Sequence, residues 1–299
     1  MRGNTDTAAA NVGVMPSALL DYVELTKPSV VWLILMSTVV GFYLGSSATL
    51  PVALLLHTLI ATALLAGGTG ALNQWWERVA DAKMRRTENR PLPAGRIGAT
   101  GSLGFGLGIS AAGLIYLLVA VNQAAFWLGV FTLASYVLLY TPLKYHTHQS
   151  TLIGAFPGAI PPLLGWAAVR GEVSIEGLSL YAILFLWQFP HFYAIAWMYR
   201  DDYAKAGIRM LPVVQPDGVS TARQIIAYGI VLIPVSLAPT ILGMTGWVYF
   251  GAALLLGLGY LYYGVRTARA RTVVEARKLL QASVIYLPVL YLFLVISKQ

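Results

Sequence analysis

Cysteine is absent from all 299 residues. Disulfides and thiolate metal sites are thereby excluded, although the absence fixes no compartment. Charge is nearly as scarce. Only 11% of residues are charged and 12 are acidic, against 58% hydrophobic, and the mean hydropathy of +0.69 lies well outside the range of an ordinary soluble domain. The chain therefore reads as a polytopic membrane protein. What charge there is leans positive, with 20 Lys and Arg giving a net +8. A nucleic-acid interface would gather those residues on one soluble face, whereas here they sit in short loops between apolar runs, so nucleic acid is excluded as a partner. Residues 1–16 also lack an apolar core of signal-peptide length. They are small and polar, and are expected to form a mobile cytoplasmic tail, leaving 17–299 as one membrane-embedded domain.

Apolar stretches of spanning or near-spanning length fall near 29–47, 51–72, 102–120, 124–141, 151–169, 179–199, 225–243, 247–265 and 279–297. In lipid only helices or closed barrels satisfy the backbone, and unbroken apolar runs exclude the alternation of a barrel. The expected fold is all-α, with about nine transmembrane helices. Ahead of them, Ser17 to Thr26 has a short amphipathic pattern suited to the interface, before Lys27-Pro28 turns the chain inward. Lys27, Lys144, Arg200, Lys205, Arg223, Arg266, Arg277 and the cluster after the second run all fall at one end of the spans, and only Arg170 and Lys298 at the other. The positive-inside rule makes the basic end cytoplasmic. The N-terminus is then inside and the C-terminus outside, in the cell inner (plasma) membrane. The longest polar loops leave the second and sixth runs on that same face, each after a helix ending in acids, which suggests a duplicated four-helix unit with cytoplasmic active-site loops.

The densest charge lies in Asn73 to Gly95. Asn73, Glu77 and Asp81 are spaced four apart, so they share one face if the second helix runs on through them. Acids so placed repel unless something positive sits between them, and Mg²⁺ is a suitable hard cation. Lys83, Arg85, Arg86, Arg90 and Arg96 follow, more than Glu77, Asp81 and Glu88 can pair, and the surplus suits a polyanion. Carboxylates, Mg²⁺ and guanidinium together describe a diphosphate site. The plainer reading of the arginines is a solvated cytoplasmic loop, but it leaves Asn73, Glu77 and Asp81 unexplained.

This run resembles, nearly position by position, the first motif of the intramembrane (UbiA-type) prenyltransferases: an Asn, an acid and an Asp at spacing four, then Met84-x-Arg86-Thr87, Arg90 and Gly95. The resemblance implies that Asn73, Glu77 and Asp81 bind Mg²⁺ carrying an isoprenyl diphosphate. Glu77 stands where many relatives have Asp. Further along, Tyr140-Thr141-Pro142-Leu143-Lys144 precedes a stretch with Gly154, Pro157, Gly158, Pro161 and Pro162, expected to break the fifth helix near its start. Irregular backbone at that depth either lines a cavity or is a packed kink. Lys144 is placed to neutralise a phosphate at the interface, as a snorkelling lysine would also be.

The sixth run carries Trp187-Gln188-Phe189-Pro190-His191-Phe192 and ends in Tyr199-Arg200-Asp201-Asp202-Tyr203. With Leu25-Thr26-Lys27-Pro28, Trp166 and Met210-Leu211-Pro212, this resembles the haem-farnesylating branch of the superfamily, the haem O synthases. Tyr199 and Tyr203 stand where other superfamily members carry further aspartates. The resemblance implies farnesyl transfer from farnesyl diphosphate to a vinyl group of haem B, giving haem O. In that reading Asp201 and Asp202 complete the metal site, and Lys144 and Arg86 stabilise the departing diphosphate. Arg85, Arg90 and Tyr199 contact substrate. His191, an ionisable residue inside an apolar run, meets the haem iron or a propionate. The implied partners are farnesyl diphosphate, haem B, the lipid bilayer and a downstream haem A synthase. Trp75, Trp76, Trp187, Phe192, Tyr193 and Trp197 are candidates for a cation-stabilising pocket. Two other functions fit parts of the pattern: prenylation of an aromatic acid or quinone precursor, and a transporter or anionic-lipid-binding protein. The last would place ionisable groups around the midplane of several spans, whereas here almost all acids sit at one interface.

Overall fold

A chain this apolar must satisfy its backbone internally, and it does so with helices. The computed structural model describes residues 17–47 and 49–299; the tail expected at 1–16 lies outside the described residues. Among those residues nine helices are long and apolar enough to cross a membrane, and the only extended pairing is an isolated bridge between Thr245 and Lys298. The protein is a multi-pass, all-α membrane protein.

The short helix α1 (Ser17–Leu25) leaves Leu19, Leu20 and Val23 about half exposed and buries Leu25, as an element lying along an interface would. Lys27 then adopts left-handed backbone (φ 53°) and turns the chain into α2 (Pro28–Gly45). Pro28 opens that helix, where its missing N–H leaves no bond unmade. There follow α3 (Val52–Asp81), α4 (Ala99–Ala120), α5 (Gln123–Leu143), α6 (Ser150–Arg170) and α7 (Ile175–Met198). Two short helices, α8 (Arg200–Lys205) and α9 (Leu211–Val214), precede α10 (Val219–Ile241), α11 (Trp247–Ala270) and α12 (Val273–Ile296).

Hydropathy alone ends the second span at Leu72, but α3 continues to Asp81. Residues 73–81 contain Gln, Glu, Arg and Ala and no Gly or Pro, so nothing stops the helix until the Lys83 turn. The packing contains the two four-helix units that the loop pattern suggests. In the first, α3, α4, α5 and α6 pack in succession and α6 returns to α3; in the second, α7, α10, α11 and α12 do the same. The remaining span, α2, lies between them against α6, α3 and α12. Its approach to α6 is backbone to backbone: a Cβ on Gly41 would meet the Pro162 carbonyl oxygen at 1.8 Å, and one on Gly165 the Thr38 oxygen at 2.0 Å.

Two irregularities interrupt helices of the first unit, one near the charged end and one at mid-helix. The last turns of α5 widen into a π-helix at Ser135–Tyr140. Helix α6 breaks at Ala159, between Ser150–Gly158 and Ile160–Arg170, near its middle rather than near its start. Pro161 and Pro162 enter in the first turn of the second piece, where a proline is tolerated, so they begin a helix there instead of preventing one earlier. Gly154 makes room for the Tyr140 ring, which a Cβ would strike at 2.5 Å.

Candidate active site

At the end of α3, Asn73, Glu77 and Asp81 occupy one helical face and are buried, none more than 6% exposed. Buried carboxylates require partners, and each of the three residues has a different cation. Lys27 Nζ donates to Asn73 Oδ1 at 2.7 Å, Lys144 Nζ to Glu77 Oε1 at 2.6 Å, and Arg90 Nη1 to Asp81 Oδ2 at 2.7 Å. The cations arrive from three places: the turn before α2, the end of α5 and the loop after α3. Asn73 Nδ2 donates to Thr141 Oγ1 at 3.1 Å, and the Thr87 hydroxyl folds that loop back by donating to the Asp81 carbonyl oxygen at 2.9 Å. Asp81 Oδ1 is buried with no partner.

The electrostatics distinguish the two lysines. Burial, and then the Arg90 charge beside it, push the Lys27 ammonium down to about 7. Burial alone would also lower Lys144, but the Glu77 carboxylate outweighs it and holds that ammonium well above the usual lysine range. Tyrosines form the surroundings. The Lys144 ammonium lies 4.3 Å from the centre of the Tyr140 ring, and Tyr140 in turn packs edge-on against Tyr136 at 5.0 Å. Burial, followed by the nearby Glu77 charge, pushes the Tyr145 phenol up to about 12.

The second polar loop closes over this end. Ala80 and Met84 pack with Ala196, Ala206, Ile208 and Met210, and Arg209 N–H donates to the Lys144 carbonyl at 2.8 Å. The Arg86 guanidinium sits 5.5 Å from the Tyr199 ring centre. The other residues expected here are less committed. Arg85 is exposed, Asp202 is half-buried, and Asp201 has 89% of its side chain exposed with only Arg200 nearby, at 3.8 Å. Among the described residues no three His, Asp or Glu side chains gather as a metal cluster. The two carboxylates and one amide of α3, with an unpartnered Asp81 oxygen, nevertheless fit Mg²⁺, which takes one or two carboxylates and completes its shell with waters and phosphate.

Arg96 does not join the surplus for a polyanion. It pairs with Asp21 at 2.9 Å and Glu24 at 2.8 Å, tying α1 to the loop. The proposed aromatic pocket is also dispersed: Trp75 packs with Leu25 and Leu92, Tyr193 and Trp197 lie in the core of the second unit, and Trp76 and Phe192 are exposed. His191 lies away from the acids, in the second unit. Its Nδ1 is 2.7 Å from Ser283 Oγ on α12, and its ring stacks on Trp187 with centres 4.8 Å apart. Its hydrogen-bond partner is thus a hydroxyl on a neighbouring helix.

A sequence profile described as the UbiA prenyltransferase family matches residues 34–290. The chain belongs to the UbiA prenyltransferase family. A protein named protoheme IX farnesyltransferase in Solibacter usitatus is 56% identical over 91% of this chain and 96% of its own length. One of the same name in Koribacter versatilis is 45% identical over 94% of each. Among solved structures, one described as a digeranylgeranylglyceryl phosphate synthase superposes with a TM-score of 0.80 at 17% identity, covering 94% of this chain and 99% of that one. A UbiA homologue from Archaeoglobus fulgidus bound to DMAPP and Mg²⁺ gives 0.69 at 15% identity, covering 92% and 99%. At such identities the structures speak for the fold.

Within this UbiA-family fold, the sequence pointed to Tyr199 but not to Lys27, Tyr136, Tyr140 or Tyr145 as neighbours of the α3 acids. Lys27 was read only as a topogenic charge and part of a motif. A lysine at the mouth of the first span, on the same face as the Asn73 to Asp81 strip, was a usable signal. Tyr136 and Tyr140 had none, because only the π-turn decides which side of α5 they face.

Proposed function

We propose that this chain is a protohaem IX farnesyltransferase, joining the farnesyl group of farnesyl diphosphate to a vinyl group of haem B to give haem O and diphosphate. The observation that carries the chemistry is that each of Asn73, Glu77 and Asp81 holds a separate cation while one Asp81 oxygen has no partner. The near full-length relatives of that name carry the choice of acceptor.

Asn73, Glu77 and Asp81 would hold Mg²⁺, with Asp201 and Asp202 completing the site from the second loop. Bound there, Mg²⁺ would supply positive charge to the diphosphate and favour its departure. The protein's own cations act on the same leaving group. As diphosphate oxygens arrive, Lys27, Lys144 and Arg90 exchange their α3 partners for phosphate, and Arg85 and Arg86 approach from the loop. Charge accumulates on the diphosphate as the farnesyl C–O bond breaks, so cations already in place lower that barrier most. The electron pair leaves with the diphosphate, the vinyl π electrons form the new C–C bond, and water adds to the remaining cation, releasing one proton to solvent or to the departed diphosphate. Tyr136, Tyr140, Tyr145 and Tyr199 offer ring faces near the developing allylic charge. Exclusion of water by the helices protects the farnesyl cation until the acceptor reacts. His191 is assigned to the haem.

The site end is assigned to the cytoplasm and the C-terminus to the outside of the plasma membrane, with the product passing to a haem A synthase. Single cysteines at Ala94 and Ser47, both exposed, test the orientation in intact cells, since the protein has no cysteine of its own. An impermeant reagent should label Ser47→Cys and spare Ala94→Cys; the opposite pattern reverses the topology. The reaction is tested by incubating purified protein with haem B, farnesyl diphosphate and Mg²⁺ and weighing the porphyrin. Diphosphate release without a farnesylated porphyrin would remove haem as acceptor and leave a quinone-type or aromatic-acid acceptor.

A further inference from the structure

Ser283 has one hydroxyl proton and hydrogen-bonds two neighbours, while the Tyr260 hydroxyl, a third group beside it, donates to Trp187. Ser283 Oγ lies 2.5 Å from the Leu280 carbonyl oxygen and 2.7 Å from His191 Nδ1. Two oxygens 2.5 Å apart repel unless a proton lies between them, so the Ser283 proton is assigned to Leu280, and the contact with His191 is then assigned the other way, with Nδ1–H donating to Oγ. A neutral imidazole has then used its only proton on Nδ1. An imidazolium would carry a second N–H without a partner inside an apolar span, which is costly. The lone pair therefore resides on Nε2, which makes no hydrogen bond among the described residues, on a ring that is only partly buried.

The same serine fixes the plane of the ring. Trp187, on which His191 stacks, donates its Nε1–H to the Ser283 carbonyl oxygen at 3.0 Å, and its own carbonyl accepts from the Tyr260 hydroxyl at 3.1 Å. Three helices, α7, α11 and α12, thus define where Nε2 points. An imidazole with Nδ1–H held by an oxygen and Nε2 left free is the arrangement by which proteins ready a histidine to bind a metal.

We infer that Ser283 is a positioning residue that locks His191 as the Nδ1–H tautomer and so presents Nε2 to the iron of a metalloporphyrin. This rests on the haem-acceptor reading above. The bond to Ser283 also tunes the donor, because an oxygen accepting from Nδ1–H raises the basicity of Nε2.

The test separates the two layers. In detergent-solubilised apoprotein labelled with ¹⁵N-histidine, the His191 signals are assigned by their loss in His191→Gln. They should report a protonated Nδ1 and an unprotonated Nε2, a preference retained in Ser283→Thr and lost to a tautomer mixture in Ser283→Ala. Haem titration should give a histidine-ligated spectrum in wild type and Ser283→Thr, with haem affinity weakened about 10–100-fold in Ser283→Ala, and unchanged farnesyl diphosphate binding in all three as the control for folding. A protonated Nε2 in wild type overturns the role of Ser283 and leaves haem untouched as acceptor. The expected tautomer together with a haem spectrum unchanged in His191→Gln overturns iron ligation. Equal losses in Ser283→Thr and Ser283→Ala would make the serine a packing residue and refute the inference.

Discussion

Two helices of this protein end in acids at the same face, and the fold treats them differently. The α3 acids are buried, each held by a cation from elsewhere in the chain; of the acids that follow α7, Asp201 is exposed, with Arg200 at 3.8 Å the nearest charge, and Asp202 is half-buried. In sequence the two stretches look like equivalent halves of a duplicated site. The structure surrounds the first with cations and leaves the second with only one charge near its acids. The cause lies partly in composition: Tyr199 meets Arg86 of the first loop and Tyr203 packs against the cluster of Ala80, Met84 and Ala196, so the second segment turns rings toward the α3 loop. A receptor with built-in cations has its electrostatic cost met during folding, which is what preorganised catalysis requires.

The sharpest break in that asymmetry is Asp81→Asn. An amide keeps the shape but withdraws the charge from the residue whose free oxygen best suits Mg²⁺, and it leaves Arg90 without its anion. Turnover should fall by roughly 10²–10³, with the loss steepest at limiting Mg²⁺, while Glu77→Asp keeps much of the activity. Steady-state rates across a Mg²⁺ titration decide the matter, and wild-type turnover of Asp81→Asn at limiting Mg²⁺ would refute the metal assignment.

Lys144→Met should be next in size, and it acts on folding as well as on chemistry. It strands the Glu77 carboxylate in a buried position, at a cost of about 3–5 kcal/mol for a broken buried pair. The double variant Lys144→Met with Glu77→Gln should recover much of the thermal stability but none of the activity. Thermal unfolding in detergent with a double-mutant cycle measures this. Additive losses would mean that the two residues are not coupled.

Lys27→Met tests whether the third cation serves the ligand or only Asn73. Asn73 is neutral and keeps its bond to Thr141, so removing the ammonium leaves no buried charge alone and stability should change little. Farnesyl diphosphate affinity should fall about tenfold, the value of one charge-assisted hydrogen bond. Isothermal titration with and without Mg²⁺ reads it, and unchanged affinity would confine Lys27 to a structural role at the α1–α2 turn.

Much of this was legible from the residues. Hydropathy locates nine spans because backbone satisfaction in lipid leaves no alternative, and spacing of four places Asn73, Glu77 and Asp81 on one face as soon as α3 is seen to run on. Partner choice was not legible. Lys27 lies 46 residues from Asn73 and Lys144 lies 67 from Glu77, distances bridged only by the packing of α2 and α5 against α3. Composition alone groups Arg96 with Arg90 as surplus positive charge, and only the resemblance singles out Arg90; that α1 brings Asp21 and Glu24 to Arg96 is visible only in the packing. Aromatic rings such as Trp76 and Trp197 carry no sign of the face they will use. That is decided by helix rotation, and it placed tyrosines, not tryptophans, beside the acids.

The smallest effect should come from the second segment, and it bears directly on whether the asymmetry persists in the working enzyme. Asp201 has almost no contact to lose, so Asp201→Asn should leave stability unchanged and, if the segment stays outward during turnover, reduce activity less than about threefold, the scale of an exposed charge. Asp202, half-buried on the same short helix, should cost more than Asp201 if α8 rotates inward when substrate arrives. Comparing the two variants in Mg²⁺ titrations separates the possibilities. Near wild-type behaviour of both assigns the metal to α3 alone. A Mg²⁺ requirement raised in Asp202→Asn and not in Asp201→Asn identifies a single ligand delivered by the second loop. Losses in both as deep as that of Asp81→Asn would mean that α8 reorganises on binding and brings both acids to the metal.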